Sequence, residues 1–158
     1  MKRILLLAPV MLVVVGVALG QSKINGKNRI AENWIAAWNS HDVEKVIPLF
    51  TKDVLYEDVT LTVVNHGAEE LRKFATGFLA AVPDLKMELI GSSIQGNQGS
   101  IEWILRGTDK GIYKTGQKFS VRGVSIVNLE HGRISRNLDF YDSATIMRQV
   151  GLLPAAKN

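Results

Sequence analysis

The run KFSVRGVSIVNLEHGRISRNLDFY, Lys118 to Tyr141, decides the architecture. Apolar and polar residues alternate with a period of two on both sides of Glu130-His131-Gly132, so two long strands, 118–129 and 133–141, pair as an antiparallel hairpin. The same pattern runs backwards. Candidate strands cover Lys86 to Ile94 and Ser100 to Thr108, and the turn stretches Gly96-Asn97-Gln98-Gly99 and Asp109-Lys110-Gly111 separate them. Three successive hairpins predict an antiparallel meander. Strands this long bend strongly, and Gly123 in mid-strand reads as a bulge or bend.

Before residue 85 the period changes. Ile30, Trp34, Ala37 and Trp38 recur at helical spacing over Asn25 to Asn39. Asp42 then suits a helix start, with Val43, Val46, Ile47 and Phe50 as an apolar stripe that Pro48 limits to about two turns. A strand follows over Asp53 to Val59, with Val54 and Tyr56 on one face and Leu55 and Glu57 on the other, and then a loop through Asn65-His66-Gly67. A third helix buries Leu71, Phe74, Phe78 and Leu79 and stops at Val82-Pro83-Asp84. A last one spans Asp142 to Val150, with Asp142 as its cap and Gly151 as its stop. Helices first and a long curved sheet after make an α+β fold in which a cone-shaped, mainly antiparallel roll wraps the N-terminal helices and encloses a pocket.

Lys2-Arg3, the apolar stretch Ile4 to Leu19 and the small residues Ala18 and Gly20 have the three parts of a secretory signal, so cleavage after Gly20 and export to the periplasm or medium are expected. A retained anchor is the rival reading, because the stretch falls just short of the roughly 20 residues that span a bilayer. After cleavage no membrane span is expected. The 138 residues that follow a 20-residue leader in this 158-residue chain suit one pocket domain, over 25–154. No cysteine is present, which excludes disulfides, thiolate catalysis and a lipoprotein anchor. The formal charge of +4 falls to about +2 without Lys2 and Arg3, and the bases are scattered among acids, so no nucleic-acid partner is expected.

Four stretches resemble the SnoaL-like polyketide cyclase family, within the nuclear-transport-factor-2-like and ketosteroid-isomerase-like superfamily. They are TGQKFSVRGVSIVNLEHGRI (Thr115 to Ile134), DFYDSATIMRQVGLLP (Asp139 to Pro154), AAWNSHDVEKVIPLF (Ala36 to Phe50) and HGAEELRKF (His66 to Phe74). The resemblance implies a hydrophobic pocket for a small apolar, carbonyl-containing ligand, no metal, no organic cofactor, and paired copies forming a homodimer. It places the proton-moving acid at Asp139. An enolate formed there needs donors, for which Tyr56, His66, Arg122 and Tyr141 are candidates, and Trp38 and Trp103 are candidate pocket walls. The chain departs from those cyclases at Ser125, where they carry an imidazole, and at Phe74, where they can carry a polar group.

Each candidate also has a plain reading. Ser135, Asn137 and Asp139 share a strand face that could be solvated, and His66 could serve a cap or turn. Arg122 could sit in a salt bridge on the outer face, and Trp34, Trp38 and Trp103 could simply pack. His41 and His131 look like exposed turn residues, and no three groups have metal-site spacing. Gly123-Val124-Ser125-Ile126 lacks the second glycine of a serine-hydrolase elbow, and no phosphate loop is present. Two functions follow: an exported cyclase or isomerase acting by proton transfer through Asp139, or a non-catalytic domain that binds a small molecule or a partner. Epoxide hydrolysis through an Asp-Arg-Asp set would draw on Asp139 and Arg122 but lacks a third member.

Overall fold

In the computed structural model, residues 28–155 are described, so the expected leader over 1–20 and the first residues of the expected N-terminal helix lie outside them. The order is α1 (Asn28–Asn39), α2 (Val43–Val46) running into a 3-10 turn (Ile47–Leu49), β1 (Phe50–Asp58), β2 (Val63–His66), α3 (Gly67–Ala81), β3 (Lys86–Gln95), β4 (Gln98–Thr108), β5 (Lys118–Glu130), β6 (Arg133–Tyr141) and α4 (Ser143–Gln149). The strands form one sheet in the order β2-β1-β6-β5-β4-β3. Every neighbouring pair is antiparallel except β1 with β6, which run parallel.

Both long helices lie on one face of the sheet. Helix α1 packs on β3 at one edge, α3 on β1 towards the other, and the sheet curls round them. The buried face of α1 carries Ala31, Trp34, Ile35 and Trp38, the i, i+3, i+4, i+7 set of an amphipathic helix. Truncating either tryptophan to alanine would cost about 3–5 kcal/mol. Asn39 ties the end of α1 to the edge strand β3: its side-chain amide donates to the Met87 carbonyl at 2.8 Å and accepts the Met87 N–H at 2.7 Å. Asp42 and Asp142 cap α2 and α4 by accepting from Glu44 N–H and Ala144 N–H.

Three expectations need correction. Val63–His66, read as loop, is a short edge strand. The β4–β5 connection is a nine-residue loop over 109–117 rather than the Asp109-Lys110-Gly111 turn alone. Asp109, buried, organises it by accepting from the N–H groups of Tyr113, Lys114 and Thr115 and from the Thr115 hydroxyl. Gly123 is not a bulge, because β4 and β5 pair through it without a shift. The register shifts instead lie between Phe50 and Leu55, between Leu89 and Gly91, and opposite Ser135.

Candidate active site

Three adjacent rows of residues across the sheet build the site. Ser125 of β5, Asp139 of β6 and Asp58 of β1 are register partners in one row. Val127, Asn137, Tyr56 and Asn65 form the row on one side, and Trp103, Gly123 and Tyr141 the row on the other. Alternation turns all of them towards the helices. The shift at Ser135 makes this possible, since it lets Ile134 face the core together with Asn137 and Asp139 rather than with Arg136 and Leu138.

Asp139 is 5% exposed and accepts three hydrogen bonds. Tyr56 donates its hydroxyl to Oδ2. Ser125 donates to Oδ1 at 2.5 Å and Asn137 to Oδ1 at 2.7 Å. Burial pushes the carboxyl up, the bonds from Ser125, Tyr56 and Asn137 pull it partly back, and the neighbouring Asp58 raises it again, leaving it at about 6. Asp58, also buried, accepts the Tyr141 hydroxyl at 2.9 Å and the Leu61 N–H at 2.8 Å. Burial raises it against these bonds. Tyr56 and Tyr141 are both raised, first by burial and then by the carboxylates they face, and so stay protonated donors.

Opposite the acids stands a wall of rings. Tyr56, Phe74, Phe78, Trp38 and Trp34 touch in sequence, with centroids 5.4 to 6.1 Å apart. Trp103 and Tyr141 meet at 6.0 Å on the other side. The cavity these groups share with Asp58, Asp139, Met87 and Leu105 measures about 30 Å3. Its half-exposed lining residues, Phe74, Phe78 and Tyr141, mark the mouth. Such a hollow keeps a base desolvated beside apolar rings and has room for about one water molecule as it stands. Among the described residues no cluster of three His, Asp or Glu could hold a metal ion, and no helix is long and apolar enough to cross a membrane.

Of the residues singled out from sequence, Asp139, Trp38, Tyr56, Trp103 and Tyr141 all border this cavity. Trp38 does so from its depth, at 2% exposure. Arg122 and His66 do not border it. Arg122 points out of the opposite sheet face, where its guanidinium pairs with Glu102 at 2.8 Å, and this removes the Asp-Arg pairing that epoxide hydrolysis would need. The side chain of His66 is exposed at the start of α3, and its backbone N–H is taken by Glu70. Asp58, Phe78 and Trp34 were missed as site residues. Parity could have found Asp58, two residues after Tyr56 on the same strand face.

A curled sheet closed over two helices, with a buried acid in the hollow, defines a protein of the ketosteroid-isomerase-like fold. Residues 31–137 match the SnoaL-like domain, and the chain belongs to that family. It is 28% identical over 111 residues to the cyclase aurE of Calcarisporium arbuscula, covering 69% of this chain and 82% of that one. Among solved structures it is similar to a ketosteroid-isomerase-like protein from Catenulispora acidiphila in complex with trimethylamine, with TM-score 0.72, 21% identity and coverage of 82% and 97%. It is also similar to TsrD from Streptomyces laurentii, with TM-score 0.71, 23% identity and coverage of 80% and 96%.

Proposed function

We propose that this protein is a cyclase or isomerase that uses Asp139 to move a proton on a small apolar carbonyl compound. One observation carries the reading: a carboxylate almost out of water, inside an aromatic cavity, with its acidity moved to about 6. Such a group is mostly ionised at neutral pH yet a stronger base than an exposed aspartate. It takes a proton from the carbon next to a ketone or ester carbonyl, and the released electron pair moves onto the carbonyl oxygen as an enolate. Protonated Asp139 then returns the proton after ring closure or a double-bond shift. The scheme is redox-neutral and consumes no co-reactant. The similarity to the cyclase aurE supports this chemistry.

Cavity size narrows the substrate. About 30 Å3 is far below the roughly 300–1,000 Å3 of pockets for drug-sized ligands. A single-ring compound enters if Phe74 and Phe78 give way, whereas a polycyclic one would require the wall to be rebuilt. The decisive experiment is Asp139→Asn with an enolisable cyclic ketone in deuterated water. Exchange of the protons beside the carbonyl should drop by at least about 100-fold. Unchanged exchange removes Asp139 from the mechanism.

Two further expectations belong to this reading. The leader pattern over 1–20 supports action outside the cytoplasm, tested by N-terminal sequencing of the mature chain for a start at Gln21. The family likeness, together with an apolar outer sheet face, supports a homodimer.

A further inference from the structure

All three tryptophans of the chain line the cavity, and they differ in one respect. The Trp103 indole N–H donates to the Ser125 hydroxyl at 2.9 Å. Those of Trp34 and Trp38, in residues 1% and 2% exposed, have no acceptor among the described residues. Buried donors without partners are rare in native proteins, and two of them on one helix, four residues apart, in side chains that line one cavity call for an explanation. The other donors that line the hollow are committed, Tyr56 to Asp139 and Tyr141 to Asp58, and Ser125 behind them also donates to Asp139. The Asn65 amide has no acceptor among the described residues either, but Asn65 does not line the cavity.

The geometry points to the Trp34 and Trp38 indole N–H groups as the donors that hold the ligand's oxygen, and therefore to a neutral, oxygen-bearing carbonyl compound as the ligand. This rests on the reading of Asp139 as the base. An indole N–H only donates, so the group it meets must be an acceptor. Charge then selects among acceptors. Asp58 and Asp139 both line the cavity and no lysine or arginine does, so a ligand that arrives as a carboxylate or phosphate meets like charge with no counter-ion. A carbonyl arrives neutral. When Asp139 takes its proton, one negative charge leaves the aspartate as one appears on the ligand oxygen, and the cavity's net charge does not change. Donors fixed in place where that charge develops stabilise the enolate more than the ketone. Ring contacts connect the two ends of the site, from Tyr56 beside Asp139 through Phe74 and Phe78 to Trp38, so a ligand that reaches from base to indoles takes the place of the Phe74 and Phe78 rings.

The test uses cyclopent-2-en-1-one as probe and cyclopentene as its oxygen-free match, added to the nitrogen-15-labelled full chain. The three indole N–H resonances are assigned by single Trp→Phe variants. The enone should shift the Trp34 and Trp38 resonances downfield and slow their exchange with water, leaving that of Trp103 in place. Cyclopentene should produce no downfield shift. Trp38→Phe, which keeps a ring and removes the N–H, should weaken enone binding about fivefold. Absence of enone binding, or binding that moves neither Trp34 nor Trp38, overturns the proposal, and the wild-type titration decides even if a variant fails to fold. Proton exchange on the enone separates this proposal from the reading beneath it. Exchange that needs Asp139 but is indifferent to Trp34→Phe and Trp38→Phe sinks the indole donors alone. Enone held by the indoles with no Asp139-dependent exchange sinks the base alone.

Discussion

Ser125 has its polarity imposed on it. The Trp103 N–H can only donate, so the serine oxygen accepts it and the serine proton is directed at Asp139. That bond favours the ionised acid, as do those from Tyr56 and Asn137. Removing it by Ser125→Ala should raise the Asp139 pKa above about 6, and with it the acidic limb of the pH–rate profile. A hydrogen bond to a charged group is worth about 1.5–3 kcal/mol, and 1.36 kcal/mol is one pKa unit, so the limb should move up by one to two units. A limb that stays in place means the serine does not tune the base. Stability tests the same residue from the other side. A carboxyl raised from about 3.9 in the unfolded chain to about 6 when folded gives stability that is fully present below pH 3.9 and lost as pH rises through 6. Over those two units the loss is about 3 kcal/mol. Asp139→Asn carries no such charge, so urea unfolding should find it near wild type at pH 4 and more stable by about 3 kcal/mol at pH 8. Parallel pH curves for the two proteins would contradict a buried, raised acid. Asp139 itself could be located from sequence because flanking stretches resemble a known family, whereas its neighbours depended on strand parity. Parity was carried to Tyr56 but not two residues on to Asp58. It left Arg122 open, because Val121-Arg122-Gly123 alternates equally well with either face inward.

At the scale of elements, the four long strands were legible because period two and turn residues agree along the whole meander, and β6 ends where expected, at Tyr141. The short strand β2 was not, since four residues ending in Asn-His carry too little pattern to outweigh a loop reading. Gly123 shows a deeper limit. A glycine in a strand either relieves the backbone or makes room, and sequence alone does not distinguish these. Here it makes room: a Cβ on Gly123 would stand 2.2 Å from the Trp103 ring, while the β4–β5 register passes undisturbed. Gly123→Ala should therefore push the indole off Ser125 and cost about 1–3 kcal/mol in urea unfolding, the usual range for overpacking. It should also move the Asp139 titration, because the serine loses the donor that aims it. A variant as stable as wild type with an unmoved titration would show that Trp103 finds another place at no cost. The bulge that sets the parity of the acid falls at Ser135, where no glycine marks it, so only the three-dimensional register reveals it.

At the scale of the molecule, the sheet has two unlike faces. The inner one is closed by α1 and α3 over the cavity. On the outer one Ile126 and Phe140 remain 39% and 41% exposed, and Val124 and Leu138, their register partners across β5 and β6, are only half buried. Four apolar side chains in one block at the middle of the sheet, beside the Arg122–Glu102 ion pair, form a contiguous patch rather than scattered exposure. A second copy meeting this face about a two-fold axis would cover both patches at once, since each supplies what the other needs. Sedimentation of the wild-type protein should then give a dimer, and Phe140→Asp with Ile126→Asp should give a monomer, because a buried unpaired carboxylate is too costly for the joint to tolerate. The substituted side chains point away from the cavity, so Asp139 in the monomer should titrate at the same pH as in the wild type. A monomeric wild type at micromolar concentration would exclude the outer face as a joint. If the double variant loses the Asp139 titration together with the dimer, the second copy supports the cavity as well as covering the sheet.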